Sequence, residues 1–274
     1  MRGGCSASRG IAHGFDVFRS GLLIGVCLAT VAVPLSSAAE MRAYVSGAIT
    51  AGDVLFNIVR GMAPQEFMVG QDGPSFSIPI LWLCSLLLEV FGSVLLFFPR
   101  RDGLETVRLF ASGSRGRYWA GKCLRMVAFP FAFLAWQLMW CVALAVVLGG
   151  SPNLLALSAD GGALFAEFGS TAWDAGWFMG FMVVDLLSCL VICLAAQLLS
   201  VNFGAPVACT CTLGYVVVAI FFGSPLLVPN VLMGYRLAGF VGDVGAFMQF
   251  IVGVALLVAL SVVLFMRLRR RDFV

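Results

Sequence analysis

The chain has 274 residues, of which 61% are hydrophobic and 11% charged, with a formal net charge of +3 and a mean hydropathy of +1.01. A soluble domain carries about 25% charged residues and about 45–50% apolar ones, so there is too little charge here to coat a water-facing surface. A soluble enzyme, a nucleic-acid binder and a disordered chain are excluded, and a polytopic membrane protein is expected.

Crossing about 30 Å of hydrocarbon takes about 20 helical residues. Taken in chain order, residues 1–20 place Ile11, Phe15, Phe18 and Leu22 at helical spacing, with Arg9, Asp16 and Arg19 elsewhere around the wheel. This predicts a short interfacial helix, although residues 1–9 fit a disordered tail equally well. Six apolar stretches then meet the length test: Gly21–Ala39, Ile78–Phe98, Met126–Leu148, Gly176–Leu199, Ala205–Phe222 and Gly245–Met266. They are continuous and do not alternate in polarity, so they read as helices and not as barrel strands. The first has a second reading. Arg19, the run Gly21–Val33 and Ser37-Ala38-Ala39 also match a signal peptide with a small-residue cleavage site, whose removal leaves five spans.

Between the first two spans, Val54–Val59 is too short to cross and predicts an outer interfacial helix, with turn over Gly70–Ser77. The segment Gly149–Ala175 is rich in glycine, serine and acids and reads as a solvated loop. Residues 224–244 are apolar, but Pro225, Pro229, Gly234 and Gly239 interrupt any continuous helix there, which predicts a re-entrant or interfacial hairpin between spans five and six. The expected fold is all-α: one transmembrane domain over residues 1–274 with six helices and both termini cytoplasmic.

Orientation follows from the cations. With the N-terminus inside, fourteen of the 17 lysines and arginines fall on the inner side, leaving Arg42, Arg60 and Arg236 outside. Of nine cysteines, Cys27, Cys84, Cys141, Cys189, Cys193, Cys209 and Cys211 fall inside spans, where a thiol behaves as a small apolar group, and Cys5 and Cys123 face the reducing interior. With one distant histidine, His13, and no carboxylate cluster nearby, no metal site is expected.

Two acids sit mid-span. A carboxylate at mid-bilayer costs about 2.5–3.5 kcal/mol on insertion scales, so Glu89 and Asp185 should face the bundle interior. Ser85, Glu89, Gly92 and Ser93 make one stripe and Asp185, Ser188, Cys189 and Cys193 another; Gln137 in span three is placed to join them. Three roles are open: hydrogen-bonded glue between helices, a polar patch on a translocation path, and a proton-coupling pair.

The connection between spans two and three is the most informative stretch. Asp102 followed by Glu105 is a capping-box-like start with an acidic first turn, and Gly113 is a stop signal. A short helix over Gly103–Ser112 is therefore predicted at the inner surface, with Leu104, Val107 and Ala111 on one stripe. So short a helix is marginal alone and needs something packed against it, either membrane lipid headgroups or another protein. Ser114 then caps a second helix with Arg115, Arg117, Lys122 and Arg125 leading into span three. An acidic start, a short helix, a small-residue break, Ser114-Arg115 and then Gly121-Lys122 at the mouth of the span resemble the coupling-helix region of type-2 ABC exporter permeases. The six spans, interfacial N-terminal helix, broken hairpin and basic Arg269-Arg270-Arg271 agree with that family, while Gly113-Ser114 stands where such proteins often have proline. The resemblance implies a prokaryotic inner-membrane permease that pairs with a second permease, alike or different, and with cytoplasmic ATP-binding subunits. ATP and magnesium would be held on those partners, with no cofactor in this chain and no nucleic acid. Leu104, Glu105, Val107, Arg108 and Ala111 would take the coupling role, with a smaller contact near Ser200–Gly204, and Glu89, Asp185 and Gln137 would line the path by which ATP-driven alternating access exports the substrate. The stretch Gly116–Cys123 nearly matches a phosphate-binding loop, but its last position is Cys123 in place of a hydroxyl residue, and no strand can precede it. The rival expectations are an ATP-independent secondary transporter using Glu89 and Asp185, and a membrane assembly protein without transport. The apolar stripes do not select a substrate.

Overall fold

The computed structural model describes residues 5–61, 79–97, 115–168, 173–240 and 243–271. Among the described residues there are nine α-helices, one 3₁₀ helix and no strand. Four helical stretches are long and apolar enough to cross a membrane, Gly25–Tyr44, Val127–Val147, Ala175–Phe203 and Val244–Val263, and Ile80–Leu95 and Ala205–Phe221 are apolar but shorter. This composition is compatible with a membrane location.

Helix α1, Cys5–Tyr44, runs unbroken for 40 residues. The interfacial helix and first span, expected as separate pieces, are thus continuous. The reason is local: Gly21 alone costs a helix only about 1 kcal/mol, and no proline stands between Arg19 and Leu22. Val33, Ser37, Ala38, Met41 and then Val45 form its buried stripe.

Helix α2, Ala51–Val59, is short, and all nine of its residues are buried. It starts in a complete capping box: Thr50 accepts from the Asp53 amide, and the Asp53 side chain accepts from the Thr50 amide. The sequence reading of this piece as a helix lying on the outer surface is corrected. An apolar helix too short to satisfy its ends in lipid is stable only inside protein, and here it is enclosed by α1, α3 and α4. Helices α3, Ile80–Phe97, and α4, Arg115–Val147, then run antiparallel. Helix α5, Ala159–Phe168, falls within the segment expected to be a solvated loop, a second correction.

Helix α6, Ala175–Phe203, begins at the Asp174 cap and packs on α3, α7 and α9. It turns into α7, Ala205–Phe221, over Gly204, whose φ of 99° suits glycine alone, with Pro206 in the first turn of α7. The expected broken hairpin follows as a 3₁₀ turn, Val228–Leu232, and helix α8, Gly234–Phe240, before α9, Val244–Arg271.

The α1–α3, α4–α6 and α7–α9 connections meet at one end of the bundle. The Ser151 amide donates to the Ile49 carbonyl, and the Ala51 amide to the Ser151 carbonyl, both at 2.9 Å. Asp53 accepts the Ser158 amide at 3.0 Å, and Asp160 accepts the amide and hydroxyl of Ser46, each at 2.8 Å. These two bonds hold the Asp160 carboxyl below its ordinary pKa. Phe56 meets Trp173 and Tyr235 edge-on, with ring centroids 5.6 and 5.5 Å apart. We call this the capped end. The start of α4 and the finish of α9, where the sequence carries basic residues, lie at the ends of those helices remote from it.

Candidate functional site

Glu89, Asp185 and Gln137 line one cavity together with Ser85 and Cys189. They come from three different helices, and their common depth follows from helix geometry. Glu89 lies nine residues below the capped end of α3, Asp185 ten below that of α6, and Gln137 ten below that of α4. At about 1.5 Å per residue all three stand about 14–15 Å down.

Glu89 and Gln137 are buried and Asp185 is half-buried. Gln137 Nε2 donates to Ser85 Oγ at 3.0 Å, joining α4 to α3. Glu89 lies within electrostatic reach of Asp185 and hydrogen-bonding reach of the Cys189 thiol. Among the described residues, no lysine, arginine or histidine lines the cavity. Its volume is about 30 Å³, room for a water or two and too little for a larger molecule. Both acids face the cavity between the helices, the placement that a membrane-spanning helix would require of them.

The wall of the cavity toward the capped end is apolar. Leu55, Ile58 and Val59 of α2, Leu232 of the 3₁₀ turn and Trp82 of α3 form it, and Pro130, Phe133 and Leu134 of α4 line the flank. Trp82 Nε1 donates to the Leu232 carbonyl at 3.1 Å, fixing the hairpin to α3.

The hairpin is held by Arg236, which the charge count places on the outer side and which is buried, 2% exposed. Its guanidinium donates to the Ala219 carbonyl at 2.6 Å, to the Ile220 carbonyl at 2.7 Å and to Asn230 Oδ1. Asn230 Nδ2 in turn donates to the Phe222 and Ser224 carbonyls, both at 2.7 Å. The last carbonyls of α7, which have no helical partner, are thereby satisfied by a cation placed at the negative end of the helix dipole. Nothing in the sequence near Arg236 signals this, because its partners lie 16 and 17 residues away on another element.

The expected coupling residues Leu104, Glu105, Val107, Arg108 and Ala111 lie outside the described residues. Among the described residues no group of three or more histidines, cysteines, aspartates or glutamates is arranged to hold a metal ion. Cys27, Cys84, Cys141, Cys189, Cys193, Cys209 and Cys211 are free thiols. No family model matches the chain, and no curated protein or solved structure matches it either.

Proposed function

We propose that the chain is the membrane permease subunit of an ATP-driven exporter of the type-2 ABC class, with six crossings, cytoplasmic termini and a plasma-membrane location in a prokaryote. It pairs with a second permease and with cytoplasmic ATP-binding subunits, which hold ATP and magnesium. The observation that carries the reading is directional. Helices α1, α4 and α7 run toward the capped end, and α3, α6 and α9 run away from it. Phe97 and Arg115, which flank the basic stretch, therefore face the opposite end, where Gly204 and the basic finish of α9 also emerge. The positive-inside bias makes that end cytoplasmic, where a motor protein has access to Leu104, Glu105, Val107, Arg108 and Ala111. In this reading the motor pushes on that stretch, α3 and α4 re-tilt, and Glu89, Asp185 and Gln137 line the path between them.

Co-purification tests it. The permease should retain an ATPase subunit through purification, and Glu105→Arg with Val107→Asp should release that subunit while the permease still inserts. A permease that never carries an ATPase, or carries it equally well with both substitutions, refutes the proposal. The placement of Glu89 and Asp185 on one cavity favours a second reading, a secondary transporter. Transport that follows a proton gradient, persists without ATP and collapses on Asp185→Asn selects it.

A further inference from the structure

We propose that the Glu89–Asp185 cavity is a binding site for one small monovalent cation, sodium or an ion like it, held between α3, α4 and α6. The inference deepens the reading of Glu89, Asp185 and Gln137 as part of the path and rests on it for the ion's role. The site itself is argued from its donors, its size and its charge.

The donors are oxygens. Glu89 and Asp185 bring two carboxyls to the cavity, Ser85 a hydroxyl and Gln137 an amide carbonyl. Glu89 is 7% exposed and Gln137 8%. Gln137 Nε2 is spent on Ser85 Oγ, which leaves Gln137 Oε1 without a donor among the described residues. A buried carbonyl in that state is unfavourable, and a cation supplies what it lacks. Glu89 fares little better. It has the Cys189 thiol, a weak donor, within hydrogen-bonding reach and the Asp185 carboxyl within electrostatic reach. No lysine, arginine or histidine among the described residues lines the cavity to balance the two acids. A buried carboxylate without a cationic side chain is held by a proton or by a bound cation.

Size, donor type and charge select the cation. About 30 Å³ admits an occupant the size of a water or two, which excludes organic ammonium ions in this conformation. Carboxyl, hydroxyl and amide oxygens suit hard cations, and a single thiol does not make a site for a soft one. Magnesium keeps several of its waters, for which there is no room. The cost of taking an ion out of water rises with the square of its charge, so a divalent ion pays about four times as much. The apolar walls from Leu55, Ile58, Leu86 and Phe133 make that cost decisive. A monovalent ion bound to these donors ties three helices together at one depth. A relative tilt of α3 and α4 draws Gln137 away from Glu89 and releases the ion.

The test uses the full-length protein in detergent, with sodium chloride exchanged for choline chloride at constant ionic strength. Choline is too large for the cavity and serves as the blank. The unfolding midpoint of the parent should rise with the logarithm of sodium concentration beyond half-saturation. Dicyclohexylcarbodiimide, which attacks protonated carboxyls in apolar surroundings, gives a second readout resolved by site. Sodium at about ten times its half-saturating concentration should slow labelling of Glu89, quantified by peptide mass, about tenfold. Glu89→Gln and Asp185→Asn preserve side-chain volume and should each abolish the sodium-dependent rise. Gln137→Leu removes the neutral oxygen and should raise the half-saturating concentration about tenfold. Equal midpoints in sodium and choline overturn the site, as does a sodium effect that survives both acid substitutions. Among the described residues the titratable groups lining the cavity are Glu89, Asp185 and Cys189. A midpoint that follows pH and ignores sodium therefore shows that a proton alone fills the cavity, and calcium acting where sodium does not shows a divalent site; either result overturns the proposal. Loss of ATPase co-purification strikes the exporter reading and leaves the sodium dependence standing, so the two failures are distinguishable.

Discussion

Asp53 is the keystone of the capped end, and its removal should loosen two segments more than a hundred residues apart. Its side chain is fully buried, with one oxygen accepting the Thr50 amide at 2.7 Å and the other the Ser158 amide at 3.0 Å. A hydrogen bond to a charged group contributes about 1.5–3 kcal/mol, so the two total about 3–6 kcal/mol. Part is offset in Asp53→Ala because a carboxylate no longer has to be held out of water, which leaves an expected net loss of about 2–4 kcal/mol. Asp53→Asn keeps one acceptor oxygen but turns an amide donor toward a second N–H, so about half that loss is expected. Hydrogen exchange resolved by peptide is the assay, since each 1.4 kcal/mol of local opening is about a factor of ten in protection. Asp53→Ala should speed exchange roughly thirty- to several-hundredfold in both the 50–59 and the 158–164 peptides, with Asp53→Asn between it and the parent. Acceleration confined to one peptide, or alanine and asparagine variants both within a factor of about two of the parent, refutes the argument.

The Glu40–Arg60 pair is roughly a third exposed at both partners, so Glu40→Gln should cost no more than about 1 kcal/mol in detergent unfolding; a larger loss would mean that the bond from Asn57 dominates. Asp160 titrates below its ordinary value because the Ser46 amide and hydroxyl both donate to its ionised form. A depressed folded value contributes stability above the unfolded pKa, about 3.9, and loses it as pH falls through the folded one. The Ser46 amide nitrogen shift should therefore be flat from about pH 8 to 5 and move only below about pH 4, with Ser46→Ala shifting the Asp160 midpoint upward; a midpoint above the ordinary aspartate value counts against the tether. Gly61 has a φ of 66°, and Gly61→Ala should destabilise the capped end by about 1–2 kcal/mol from the left-handed backbone alone, plus the clash with Met233. In a double-mutant cycle Met233→Gly, which removes both the Cβ and the Cγ that the new side chain would meet, should recover most of the clash and leave the backbone cost; full recovery would show that the dihedral carries no strain.

What the sequence reveals, and what it hides, divides along the range of the interactions. The helices are legible because each is a local apolar run, so the expected spans Ile78–Phe98 and Ala205–Phe222 lie within two residues of the helices α3 and α7 at each end. The shared depth of Glu89, Asp185 and Gln137 is legible for the same reason, since residue count along a helix is distance. The burial of α2 is not legible. Val54–Val59 reads as a short apolar helix in either place, and what draws it inside is Asp53 meeting Ser158 and Ser37 meeting Val54. Arg236 misleads more sharply, because a lone cation in a loop is ordinarily solvated, and only the unpaired carbonyls at the end of α7 make its burial favourable. The same long-range polar bonds that sequence cannot supply are those that divide the capped end into an α2 half and a hairpin half. Each half is specified by residues that look unremarkable alone, Ser37, Asp53 and Asn57 in one and Asn230 and Arg236 in the other.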